Sequence, residues 1–113
     1  MQRLPKRLVA GSQLTASAAT YYTVPANTIT TISACTVTNT TATAQTVTLH
    51  LVPSGGTAGV TNAVCSARIV APGESWNVHG AIGQTLAAGG TLEALSDAGT
   101  ALTLVASGYE TNA

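Results

Sequence analysis

The side chains that could bind a metal ion are few and scattered along this 113-residue chain. Two cysteines and two histidines supply the composition of a zinc site, but no C-x-x-C or H-x-x-x-H spacing brings them together locally. These four residues are Cys35, Cys65, His50 and His79. We predict no metal site, and we expect the two cysteines to be buried free thiols, with one disulfide bridge as the alternative.

Catalytic groups also lack their usual sequence context. No serine lies in a G-x-S-x-G elbow, and each of the four carboxylates is isolated beside a turn or near the chain end. A phosphate site needs a glycine-rich loop that leads into a helix, whereas Gly55-Gly56 and Gly89-Gly90 separate predicted strands. We predict that the protein is not an enzyme, with no catalytic residues and no cofactor.

Basic residues concentrate at the N-terminus. Three of the four lie within the first seven positions, and the remaining chain carries Arg68 against four acids, a net charge of −3. Because Pro5 opposes a helix here, we predict that residues 1–11 form an extended arm that docks on an acidic neighbouring surface. The alternative is a frayed, solvated tail. The predicted partner-binding residues of the arm are Arg3, Leu4, Lys6, Arg7 and Leu8.

Trp76 is the single tryptophan, and it follows the turn-forming segment at residues 71–74. Tryptophan is over-represented among residues that dominate binding at protein interfaces. We therefore include Trp76 among the predicted partner-binding residues, with an anchoring role in the hydrophobic core as the alternative.

The elements that must position these residues are predicted to be strands, because threonine often alternates with valine, isoleucine or leucine. Period-2 alternation gives a strand one buried and one exposed face. The predicted strands are residues 20–24, 28–39, 46–51, 62–70, 75–78, 91–95 and 101–109. In the fourth of these, the pattern places Cys65, Ala67 and Ile69 on one face and Ser66 and Arg68 on the other.

Turn-forming glycine and proline residues recur between these strands, as in an all-β sandwich or barrel. The alternation slips between Ile32 and Cys35, which predicts a β-bulge near Ser33-Ala34. Residues 80–88 are the only segment with helical character, and Gly83 interrupts it. We predict an all-β fold with a single β-sandwich over residues 12–113, jelly-roll-like, with an immunoglobulin-like strand order as the alternative.

The composition excludes several classes of protein. Hydrophobic residues make up 45% of the chain and charged residues only 7%, which rules out a disordered chain or a coiled coil. Net charge is zero, so we expect no specific nucleic-acid partner and no membrane partner. No segment has the roughly 18 apolar residues of a transmembrane helix, and the N-terminus lacks the apolar region of a secretion signal. Uncharged threonine faces favour a protein in permanent contact with neighbours; a monomer with a hydrated threonine surface is the alternative.

Residues 12–110 resemble the small β-sandwich structural proteins of tailed bacteriophages and prophages. The resemblance rests on the segments YTVPANT at 22–28, TVTNT at 36–40, VTLHLVP at 47–53, IVAPGES at 69–75, LAAGGTL at 86–92 and LTLVASGYE at 102–110. Members of this group serve in capsid decoration, in head fibres and in tails.

The resemblance implies a capsid decoration, or cement, protein, because the chain has one small domain and no shaft or receptor-binding extension. The implied partner is the major capsid protein. The protein would form a homo-oligomer (trimer or dimer) that bridges major capsid subunits. It would be made in the host cytoplasm and located on the capsid surface of the virion. A tail, neck or head-fibre-base component is the alternative in the same setting. A carbohydrate- or receptor-binding module is the alternative of another class.

Overall fold

The computed structural model describes residues 3–99 and 101–112 as two antiparallel β-sheets packed face to face. These residues contain no helix, and so none that could cross a membrane. The all-β prediction is confirmed. The strands are β1 (Arg3–Gln13), β2 (Ala19–Thr23), β3 (Thr28–Asn39), β4 (Gln45–Val52), β5 (Ala63–Val70), β6 (Ser75–Asn77), β7 (Thr85–Leu86), β8 (Thr91–Ser96) and β9 (Leu102–Asn112).

Each sheet is built from strands that are distant in the sequence. The first sheet has the order β1-β9-β3-β6, and β7 also pairs with β3. The second sheet has the order β2-β8-β4-β5. Strands β1 and β6 therefore lie at opposite edges of the first sheet, and β2 and β5 form the two edges of the second.

The hydrophobic core lies between the inward faces of the two sheets. In β3 the inward side chains include Ile32, Cys35 and Val37, and in β4 they include Val47 and Leu49; all five are at most 1% exposed. Period-2 alternation accounts for Cys35 with Val37 and for Val47 with Leu49, since every second side chain of a strand points to the same face. Ile32 is three residues from Cys35, and the register shift in β3 places both of them inward. None of the buried residues in the described part of the chain is Asp, Glu, Lys or Arg.

A β-bulge lies in β3, at the position that the slipped alternation predicted. The register against β9 shifts between Ile32 and Ala34, which confirms the bulge near Ser33-Ala34. Beside it the backbones approach closely at Gly108 of β9, where an added Cβ would collide with the carbonyl oxygen of Thr31. Only glycine fits this position without displacing backbone.

The predicted faces of β5 are wrong. Its register against β4 shifts between Val47 and Leu49, and Ala67 adopts a left-handed conformation with φ +48°. This bulge reverses the alternation, so Val70 is fully buried and Ile69, which was grouped with Cys65, is 64% exposed. A bulge adds one residue to a strand and turns the following side chains to the other face.

The structure does not show the predicted N-terminal arm. Residues Arg3 to Gln13 form strand β1, which pairs with β9 from Arg3↔Thr111 to Gln13↔Thr103. The long strand β9 leaves one edge free for this pairing, and Leu8 and Val9 enter the core. An edge strand also tolerates Pro5, because a missing N–H on the solvent side breaks no ladder hydrogen bond.

Candidate interaction surfaces

A cluster of polar side chains fastens β1 to three other strands. Lys6 forms an ion pair with Glu110 of β9, with 3.2 Å between Nζ and Oε2. The Tyr22 hydroxyl of β2 donates to the same carboxylate oxygen at 2.5 Å. Because that bond uses the only hydroxyl proton of Tyr22, the buried Thr30 of β3 donates to the Tyr22 oxygen, at 2.7 Å. The cluster thus joins both sheets at one end of the sandwich.

The charges in this cluster are set by its geometry. The hydrogen bond from Tyr22 and the neighbouring Lys6 lower the pKa of Glu110, which stays ionised at neutral pH. Burial, together with the Glu110 carboxylate, raises the pKa of Tyr22 to about 12, so the hydroxyl stays protonated. Neither group is poised to exchange a proton near neutral pH, and we read the cluster as structural.

The five arm residues do not share one accessible surface. Leu8 is only 8% exposed in the core, and Lys6 is held by its ion pair. The Arg3 guanidinium lies over the Tyr109 ring at 4.5 Å from its centroid, a cation–π contact. Arg7 and Leu4 are exposed, Leu4 by 46%. Arg3 and Arg7 lie on one face of β1, opposite Leu4, and we call these two arginines the β1 surface.

Trp76 is half-buried at the far edge of the first sheet. It pairs with Val37 of β3, and its ring packs partly against the core. The Arg68 guanidinium of β5 lies 4.8 Å from the ring centroid, and His79 meets the ring edge-on at 6.2 Å. Arg68 therefore closes the side of the sandwich where β5 and β6 face each other.

The β1 surface and Trp76 are separate sites. Strands β9 and β3 lie between β1 and β6, so the two edges are about 14 Å apart at the usual strand spacing. The six predicted partner-binding residues were grouped only because of their residue types. The strand order places five of them on β1 and Trp76 on β6, at opposite edges of the sheet.

The cysteines and histidines do not converge on one site. Cys35 is a buried free thiol and Cys65 is half-buried, also unpaired. Burial raises the pKa of Cys35 to about 12, and burial also raises the pKa of Cys65. Among residues 3–99 and 101–112, no three His, Cys, Asp or Glu side chains lie close enough to hold a metal ion.

An apolar groove that was not predicted from the sequence lies on the outer face of the second sheet. We call it the β4–β8 groove; its volume is about 460 Å³. It is lined by Ala18, Thr48, His50, Ala58, Gly59, Val60, Ala63, Ser66 and Leu95. The one available signal was Val60, an isolated large apolar residue in a loop of glycine, threonine and alanine.

Comparison of the chain with protein-family models, with curated proteins and with solved structures found no match to any of them.

Proposed function

We propose that the protein is a structural component of a bacteriophage virion, a decoration protein that binds and stabilises the assembled lattice of the major capsid protein. The observation that carries this proposal is the distribution of charge on the sandwich. Three of the four basic residues lie on β1, and the rest of the described surface is mostly uncharged threonine, serine and alanine. Such a surface suits a protein that spends its life in contact with neighbours, and the sequence resemblance supplies the virion as the setting.

We further propose a jelly-roll arrangement of the strands. The pairs β1–β9, β2–β8, β3 with β6 and β7, and β4–β5 are nested, as in one long hairpin rolled into two sheets. In an immunoglobulin sandwich the first two strands share a sheet, whereas β1 and β2 belong to different sheets here. The pairing therefore favours the jelly roll over the immunoglobulin-like order.

The β1 surface is the proposed contact with the capsid. Arg3 and Arg7 lie on the same face of β1, separated by Pro5, whereas Leu4 lies on the opposite face with Lys6. Arg3 is pre-positioned by Tyr109, so little side-chain freedom is lost when it meets an acidic surface. At the opposite edge, Trp76 with Arg68 is the second proposed contact. Two contacts on opposite edges allow one molecule to bridge two capsid subunits.

The stabilising mechanism is linkage. A ligand that binds the assembled shell and not the free subunits shifts the equilibrium toward the shell, and many copies on one lattice add their effects. Each contact can be weak, since a rim of two or three cations gives modest, salt-sensitive binding. We expect the oligomer of this protein, rather than the single chain, to be the binding species.

The two alternative functions are a tail, neck or fibre-base component of the virion and a carbohydrate-binding module. A tail, neck or fibre-base component would use the same sandwich and differs only in copy number. A carbohydrate-binding module needs an open aromatic face for stacking a sugar ring. One face of Trp76 is already covered by the Arg68 guanidinium, so a sugar would have to displace it. We therefore favour a virion component over a sugar-binding module.

The decisive experiment is to measure copy number in purified virions by quantitative mass spectrometry against the major capsid protein. A ratio near one, or a simple lattice fraction of one, supports shell-wide decoration. A few copies per particle would assign the protein to the neck, tail or fibre base. Absence from the virion would refute the proposal.

A binding assay tests the β1 surface itself. Shells that lack the protein are mixed with the wild type, with Arg7→Gln, or with Ala16→Glu as the control. Arg7→Gln and Ala16→Glu change the net charge by the same amount, and Ala16 is exposed on the loop after β1. We expect Arg7→Gln alone to lower shell occupancy, more strongly at low salt. Equal occupancy for all three proteins would contradict a role for this surface.

A further inference from the structure

The β4–β8 groove combines a cavity with an exposed apolar knob. Of the large hydrophobic side chains in the described residues, Val60 is the most exposed at 95%, and it borders the groove. Ile69, the next most exposed, lies on the same outer face, opposite Thr46 in the register of β4 and β5. None of the nine lining residues is Asp, Glu, Lys or Arg. Apolar surface of this kind is unfavourable in water unless a partner covers it.

The loop that carries Val60 is held in place by hydrogen bonds. Asn62 Oδ1 accepts from the backbone N–H of Gly59, and its Nδ2 donates to the carbonyl of Thr57. With the amide orientation fixed in this way, Oδ1 also accepts from Nδ1–H of His50, at 3.0 Å. His50 forms part of the groove wall, so the knob and the groove are fastened to each other. A pre-positioned knob loses little conformational entropy on docking.

We propose that the β4–β8 groove is a self-association surface, in which Val60 of each of two copies of this chain enters the groove of the other across a two-fold axis. The inference deepens the proposed function, on which its role on the shell rests, by naming the face that makes the oligomer.

A second copy is the occupant that the geometry favours. Knob and groove adjoin on the same face, so one two-fold rotation exchanges both contacts at once. A knob on one face and a groove on another would instead generate a ring or an open chain. The lining is uncharged, so two identical faces meet without like-charge repulsion. The β1 surface, with its cations, would repel its own copy and suits an acidic partner instead.

Sedimentation equilibrium of the full chain tests the proposal without any capsid. We expect the wild type to reach twice the 11.2 kDa mass of the chain as concentration rises. Val60→Ser removes most of the buried side chain and is expected to weaken each contact about tenfold. Because the two-fold dimer contains the contact twice, its dissociation constant should rise about a hundredfold. Val60→Asp should leave only monomer.

The matched control is Ile82→Asp, the same kind of change at an exposed apolar residue in the turn after β6, which is 42% exposed. It should dimerise like the wild type. Thermal unfolding of every variant checks the fold, which an almost fully exposed Val60 should not affect.

Three results would overturn the inference. These are a wild type that stays monomeric into the millimolar range, a dimer that Val60→Asp leaves intact, and a mass three times that of the chain. Shell binding by a monomeric wild type would keep the proposed function and refute this inference. A Val60-dependent dimer that never binds shells would support this inference and refute the proposed function.

Discussion

The hydroxyl of Tyr22 is the centre of the cluster that holds β1, β2, β3 and β9 together, and Tyr22→Phe is the sharpest test of that cluster. The change deletes one hydrogen bond to an ionised carboxylate and one to the fully buried hydroxyl of Thr30. The first is worth about 1.5–3 kcal/mol, and leaving Thr30 without its partner adds about 1 kcal/mol. We expect the variant to lose about 2–4 kcal/mol of unfolding free energy at pH 7.

The alkaline side gives an independent signature of the same hydroxyl. The pKa of Tyr22 is about 12 in the folded protein against 10.0 for the free side chain. The folded state therefore favours the protonated hydroxyl, and this stability is fully present below pH 10. It is lost as the pH rises from 10 toward 12, by about 2–3 kcal/mol in total.

The acidic side has the opposite sign. The pKa of Glu110 is lowered in the folded protein, so its contribution is present above the ordinary pKa of the side chain and is lost as the pH falls through the folded value. Removing the Tyr22 hydroxyl removes the largest cause of this shift. We expect the acid dependence of stability to be weaker in Tyr22→Phe than in the wild type.

Urea unfolding followed by circular dichroism, from pH 3 to pH 12, measures both effects. Tyr109→Phe is the matched control, because Tyr109 precedes Glu110 in β9 and its hydroxyl forms no hydrogen bond with the described residues. The difference between wild type and Tyr22→Phe should shrink between pH 10 and pH 12, and the control should track the wild type. A loss below 1 kcal/mol at pH 7, or a difference that does not change above pH 10, would refute the assignment.

Three further predictions concern the backbone and the thiols. Gly108→Ala should lower the free energy of unfolding by about 3 kcal/mol or more, because its Cβ collides with the backbone of β3. The control is Gly59→Ala, which adds a Cβ in open space and should cost less than about 1 kcal/mol. Urea unfolding measures both. Ala67→Gly should raise the unfolding free energy by about 0.5–1 kcal/mol, because glycine adopts φ +48° without strain, and a loss of stability would contradict the bulge. In a disulfide-exchange assay at pH 8, both cysteines should react more slowly than a free thiol, since burial raises the pKa of each. Cys65 should react faster than Cys35, which is more deeply buried. Equal rates for Cys35 and Cys65 would contradict this difference in burial.

The strands could be predicted from the sequence where the alternation is long and one face is buried. Strand β3 runs from Thr28 to Asn39 as predicted, and its bulge was visible as a slip in the pattern. The faces of β5 could not be predicted, because a left-handed Ala67 leaves no mark in the composition. Strand β1 was missed as a strand, since its pairing depends on the free edge of β9, which is about a hundred residues away in the sequence.

The candidate surfaces were predictable only in part, for the same reason. The residue types of β1 and the single Trp76 marked candidates for binding, but contacts between distant strands decide which of them are free. Lys6 is occupied by Glu110, and Arg68 covers Trp76, and neither pairing can be inferred from local spacing. The β4–β8 groove is formed by side chains of β4, β5 and β8, by the loop at residues 53–62 and by Ala18. No single segment of the sequence contains enough of the groove residues to predict the groove.

The edges and faces of this sandwich differ in how they are protected, and this difference indicates how the protein assembles. Exposed sheet edges are usually blunted by charge, proline, bulges or short strands. Here β1 carries Pro5 and three cations, β5 carries the Ala67 bulge, and β2 and β6 are only five and three residues long. All four edges thus have a device against strand addition. The outer face of the second sheet has no comparable protection, because Val60, Ile69 and the groove leave apolar surface open. Because the sheet edges are protected and this outer face is not, we expect the protein to assemble through side chains on the face rather than through backbone hydrogen bonds at an edge.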